Sequence, residues 1–143
     1  MKRSTIIAIL SFIGIILLTS CRRDNLGWPT KVSFEKDGGE KIVEPEYVDG
    51  DVYHLDILDY DEPSENNLPS VINVDFKRND SETDDSELET TFQYKWLTIS
   101  VTKRHFRSMK LKAEPNATGQ PRKLGLSGMI MNSHFVMDVE QKG

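Results

Sequence analysis

Cysteine is nearly missing from this chain. Among 143 residues only Cys21 carries a thiol. An intramolecular disulfide is therefore impossible, and stability must come from packing and hydrogen bonds. Positive charge is also in deficit, with 18 Lys and Arg against 23 Asp and Glu. Nucleic-acid binding wants a concentrated basic surface, which this balance argues against. The one basic cluster, Lys103, Arg104, Arg107, Lys110 and Lys112, reads as the solvent face of a strand. Sustained helical periodicity is lacking as well, which removes bundles and most α/β folds from consideration. His54, His105 and His134 are too widely spaced to form an HExxH or paired-histidine motif.

Long apolar runs are scarce too, with one exception. Residues 6–18 are apolar apart from Ser11 and Gly14, and they follow Met1-Lys2-Arg3. A basic start, an apolar stretch of about 7–15 residues and small residues before a cut make a secretory signal peptide. A membrane-spanning helix needs about 20 apolar residues, more than this run supplies. Leu18-Thr19-Ser20-Cys21 resembles the bacterial lipobox. The resemblance implies diacylglycerol on the Cys21 thiol, cleavage before Cys21 and acylation of the new amino group. Such a group anchors firmly, because each buried methylene adds about 0.8 kcal/mol and two lipid signals already give stable attachment. Loss of residues 1–20 takes Lys2 and Arg3 and no acid, moving the net charge from −5 to −7. Arg22-Arg23-Asp24 puts no aspartate directly after Cys21. By resemblance to sorting rules this points to the outer membrane and leaves open whether the surface is reached.

Residues 21–29 read as a polar tether interrupted by Gly27 and Pro29, and residues 30–143 as one domain able to bury a real core. Period-two alternation recurs along it. Val32 and Phe34 share a face; Tyr53, Leu55 and Ile57 alternate with His54, Asp56 and Leu58; Ile72, Val74 and Phe76 alternate with Asn73, Asp75 and Lys77. Met109, Leu111 and Ala113 form another set, and Phe135, Met137, Val139 and Gln141 the last. These are half-buried strands. Phe92, Tyr94 and Trp96 share a face, but Leu97, Ile99 and Val101 take the opposite phase. A bulge or strand break is therefore expected near Trp96. Residues 59–70 and 78–91 are rich in acids, with few core-forming side chains, and read as long exposed loops. The fold class is all-β, a two-sheet sandwich.

Val32-Ser33-Phe34 followed by Gly38-Gly39, then Trp96-Leu97-Thr98-Ile99-Ser100, then residues 111–119 with Arg122, and finally Val139-Glu140-Gln141-Lys142-Gly143 share an order and spacing. Together they resemble the BACON domain (Bacteroidetes-associated carbohydrate-binding, often N-terminal). The resemblance implies an immunoglobulin-like sandwich and suggests carbohydrate. Residues 44–91 are longer and more acidic than the family pattern. The resembling residues also have structural roles. Pro115-Asn116 can end a strand and open a turn, Arg122 can brace loop carbonyls, and Gln141 can satisfy backbone groups. The Asn116-Ala117-Thr118 match to a glycosylation site reads as the turn.

Chemistry-bearing motifs are thin. A nucleophile needs a base and an orienting group, and no strand-turn-helix elbow surrounds any serine. Asp49/Asp51, Asp59/Asp61 and Asp84/Asp85 pair carboxylates in sequence, but with few apolar neighbours to raise a pKa. The run 80–87 suits calcium better than catalysis, yet it lacks an EF-hand's glycine turn and terminal glutamate. No catalytic residue, metal or cofactor is expected. Sugar platforms use exposed aromatic rings. Trp28 and Tyr60 lie in loop-like sequence and are the candidates, whereas Tyr53 and Trp96 fall in alternating strands and read as core. The expectation is a lipid-anchored, non-catalytic binding or accessory module of the cell envelope. Its partners are the membrane, through the anchor, and a glycan; the rival reading replaces the glycan with an envelope protein.

Overall fold

The computed structural model describes residues 25–47, 50–76, 90–102 and 105–143. The expectations for the signal peptide, for acylation at Cys21 and for most of the acidic run 78–91 concern residues outside these. Among the described residues there are nine strands and no helix. They are β1 (Lys31–Phe34), β2 (Gly39–Val43), β3 (His54–Pro63), β4 (Pro69–Asn73), β5 (Thr90–Tyr94), β6 (Leu97–Val101), β7 (Met109–Ala113), β8 (Arg122–Ile130) and β9 (Ser133–Gln141). One sheet has the order β1-β9-β8-β3-β4 and the other β2-β7-β6-β5. With β3-β8-β9 in one sheet and β2-β7-β6 in the other, the arrangement is that of an immunoglobulin-like sandwich. β1 runs parallel to β9, from Lys31 opposite Asp138 to Phe34 opposite Gln141.

Alternation builds the interior as the sequence implies. Leu55 and Ile57 from β3, Leu124 and Leu126 from β8, and Phe135, Met137 and Val139 from β9 meet Ile99, Leu111 and Met109 from the facing sheet, all fully or almost fully buried. The phase slip near Trp96 resolves as a strand break. Lys95 and Trp96 form a two-residue turn joining β5 to β6, and Lys95 takes a left-handed φ of 50°. The same device recurs at the β8–β9 hairpin, where Met131 has φ 52°.

Three expectations are corrected. Residues 59–70 are not a loop: β3 continues to Pro63, β4 starts at Pro69, and a register irregularity between Asp59 and Pro63 accommodates the extension. Sheet hydrogen bonds come from the backbone, so an acidic segment can pair wherever its charges are solvated or matched. Residues 25–29 are not tether. Asn25 Nδ2 donates to the Val136 carbonyl (3.1 Å) and the Val136 N–H donates back to Asn25 Oδ1 (3.0 Å). Trp28 is only 4% exposed and stacks on Phe135, with ring centroids 4.6 Å apart and planes at 9°. Gly128 makes that stack possible, because a Cβ there would strike the Phe135 ring. Tyr53, expected in the core, is exposed, since the strand's inward phase starts at Leu55.

The end of the sandwich holding the β1–β2 turn and the C-terminus is tied by polar groups. Gln141 is buried and its Nε2 donates to the carbonyls of Glu114 (2.8 Å), Glu35 (3.0 Å) and Lys36 (3.3 Å). Arg122 donates through Nε to Gln141 Oε1 (2.8 Å) and through Nη2 to the Glu114 carbonyl (2.8 Å), with its guanidinium 4.8 Å from the Trp96 ring centroid. Asn116 Nδ2 donates to the carbonyls of Gln120 (2.7 Å) and Lys142 (3.0 Å). These are the structural roles expected of Arg122, Asn116 and Gln141. The Asn116 amide is consumed inside the protein.

Candidate functional site

The outward phase of the five-stranded sheet composes a face of lateral rows. Register places Val71 beside Leu58, Leu58 beside Gly125, and Gly125 beside Asp138. The next row is Asn73, Asp56, Ser127 and Val136, and the third is His54, Met129 and His134. Val71 is 64% exposed, and Met129 and Val136 also present apolar surface. Ser127 keeps the middle row low, whereas Tyr60 and Leu58 cover Gly125. β4 closes this sheet on one side, and no residue from Pro69 to Asn73 is charged. Charge is one of the devices that blunt strand edges; β4 lacks it, though it is short and begins with Pro69.

Tyr60, expected as a sugar platform, lies at one end of this face and is 38% exposed. Its hydroxyl donates to Asp138 Oδ1 (3.2 Å), and Lys123 Nζ sits 5.0 Å from its ring centroid. The ring crosses Gly125, where a Cβ would approach the Tyr60 hydroxyl to 2.7 Å. Burial, reinforced by the Asp138 carboxylate, raises the Tyr60 pKa above the usual phenol value. Tyr60 is thus held in place, with Lys123 beside its ring. Trp28, the other candidate, is corrected: both its burial and its stack on Phe135 remove it from the surface. Tyr47 and Tyr53 are exposed and lie elsewhere, and Trp96 is core as expected.

A cleft of about 450 Å³ opens where β1, β8 and β9 end, among Lys31, Phe34, Arg122, Lys123 and Glu140. Its lysines are already matched, and Arg122 is hydrogen-bonded to Gln141 and the Glu114 carbonyl. Lys31 pairs with Glu140 (2.5 Å), Lys123 with Asp138 (2.9 Å), and Lys142 with Glu35 (2.8 Å). An anion binding these lysines would have to displace their carboxylates. His54 Nε2 lies 3.0 Å from Asp56 Oδ2 on the outer sheet face, away from this cleft, with Asn73 alongside. No group of three or more metal-ligating side chains is found among the described residues.

One polar cluster escaped the sequence reading. Asp59 is fully buried, on the inward phase that follows Leu55 and Ile57. Lys95 Nζ lies 2.6 Å from its carboxylate and 3.1 Å from Glu62. The Tyr94 hydroxyl donates to Asp59 Oδ2 (2.8 Å), and the Asp61 N–H donates to Oδ1 (3.0 Å). Burial pushes the Asp59 pKa up, but the hydrogen bonds from Lys95, Tyr94 and Asp61 outweigh it and hold the carboxyl below its ordinary value. The Lys95 ammonium is raised, chiefly by the Asp59 hydrogen bond. The cluster joins β3 of one sheet to the β5–β6 turn of the other. The available signal was phase: Leu55, Ile57 and Asp59 continue one alternation.

No protein-family model matches the chain, and no curated protein matches it. Among solved structures, an NMR structure of a protein from Bacteroides thetaiotaomicron is similar at 14% identity, covering 80% of this chain and 76% of that one, with a TM-score of 0.44.

Proposed function

We propose that this chain is a lipid-anchored, non-catalytic module of the bacterial cell envelope that holds a protein partner on the outer face of its five-stranded sheet. The observation that carries the choice of a protein over a glycan is the combination of exposed Val71, Met129 and Val136 with the uncharged edge strand β4. Apolar surface beside an uncharged edge strand suits a partner that packs a side-chain row or adds a strand. The glycan reading has less support, since Trp28 is withdrawn and Tyr60 is restrained by Asp138 and Lys123. Trp96, Asn116, Arg122 and Gln141, which carry the likeness to the BACON domain, direct their polar groups within the chain or lie buried. They support a common scaffold more than a common ligand. The anchor rests on the residues around Cys21.

Two measurements test the reading. A photo-crosslinking amino acid at Val71 or Val136, in cells, should give one discrete protein adduct, and Val71→Lys should abolish the adduct formed from Val136, while the same probe at Lys41 on the other sheet gives none. Titration calorimetry against a polysaccharide panel should be flat. Saturable glycan binding lost in Tyr60→Ala, with no adduct at Val71, would replace the protein reading with the sugar one.

A further inference from the structure

The chain joins the folded body only four residues after Cys21, at the clasp between Asn25 and Val136. At no more than about 3.6 Å per residue, Asn25 lies within roughly 14 Å of whatever holds Cys21. Three large side chains with apolar surface are exposed at the pole around that clasp. Met131, at the tip of the β8–β9 hairpin, is 74% exposed, Tyr53 48% and Tyr47 46%. They sit together where the chain enters the domain. The Tyr53 hydroxyl donates to the Met131 carbonyl (2.9 Å), the Tyr53 N–H donates to the Met129 carbonyl (3.1 Å), and the Glu46 N–H donates to the Gly27 carbonyl (2.9 Å). Asp51 at this pole is paired with Arg107. At the other pole, Leu68 stands in a turn with the exposed carboxylates of Asp61, Glu62 and Glu65.

We propose that, once Cys21 is acylated, the Tyr47–Tyr53–Met131 pole seats on the phospholipid headgroup layer, so that the anchor and the fold bind the membrane together. This rests on the lipid-anchor reading above. Tyrosine combines an apolar ring with a polar tip and favours the membrane interface. Methionine adapts to an irregular surface. The short covalent reach selects lipid over a protein occupant, because this pole cannot move far from the bilayer.

The test uses the acylated protein, which begins at Cys21, in nanodiscs of zwitterionic phospholipid. Cys21 is blocked by its lipid, so Met131→Cys offers one free thiol for an environment-sensitive fluorophore, and Glu65→Cys offers a control at the opposite pole. The expected result is blue-shifted emission at position 131 and unchanged emission at 65. In a second variant, Tyr53→Ser, the shift at 131 should fall. Equal emission at 131 and 65 with intact-mass proof of acylation would overturn this proposal and leave the anchor standing. A Cys21 without acyl groups would overturn both. A shift at 131 that appears only when envelope proteins are added would overturn the lipid seat and assign the pole to a protein instead.

Discussion

Asp59 shows how one side chain joins two sheets. A carboxylate with no solvent contact is stable only if each oxygen is matched, and Lys95, Tyr94 and the Asp61 N–H supply the matches. Lys95→Met leaves a buried charge without its counter-ion. The expected cost is about 3 kcal/mol, the low end for a broken buried pair because Lys95 keeps some solvent contact. Urea denaturation followed by intrinsic fluorescence measures it. The pH profile follows from the same cluster. Asp59 titrates lower in the folded than in the unfolded chain, so its stabilisation is present above the ordinary carboxylate range and is lost as pH falls through the folded value. Lys95, Lys123, Tyr60 and Tyr94 are all raised. Their stabilisation is complete below their ordinary values and disappears as pH climbs past about 10. Thermal melts across pH should therefore show a plateau between an acid limb below about pH 4 and an alkaline limb above about pH 10. Lys95→Met should flatten both limbs; limbs unchanged in that variant would assign the titration to other groups.

Strands were legible where apolar side chains alternate without interruption, as in β1, β7 and β9, because burial of every second residue leaves a direct mark. The β5–β6 turn was legible as a change of phase at Trp96. The second half of β3 was hidden, since Asp59, Asp61 and Glu62 look like loop chemistry and only their partners in other strands show otherwise. Trp28 was hidden for a similar reason. Its neighbours Gly27 and Pro29 suggest a loop, while its place is made by Gly128 and Phe135, far along the chain. The candidate face was the least legible part, because an exposed Val71 or Val136 acquires meaning only from strand order. Two outcomes belong to these elements. Trp28→Ala should cost about 3–5 kcal/mol through the cavity it leaves over Phe135, read as a drop in the denaturation midpoint. Val71→Lys should leave stability within about 0.5 kcal/mol, read as an unchanged urea midpoint, because its side chain is exposed.

For the molecule as a whole, residues 25–29 are part of the domain. Protein beginning at Asn25 should melt cooperatively, whereas protein beginning at Thr30 loses Trp28 and the Asn25 clasp and should melt several degrees lower, about 4–8 °C for each kcal/mol lost at this size. Differential scanning calorimetry decides it. The parallel pairing of β1 with β9 has a mechanical consequence. If one end of the protein is fixed and the other pulled, these neighbouring strands slide along each other, and the bonds from Thr30 to Lys142 share the load at once instead of opening one by one. A protein stretched between a fixed base and a moving partner would yield late and abruptly, as a rivet seam does, and an optical trap would record a single high rupture force.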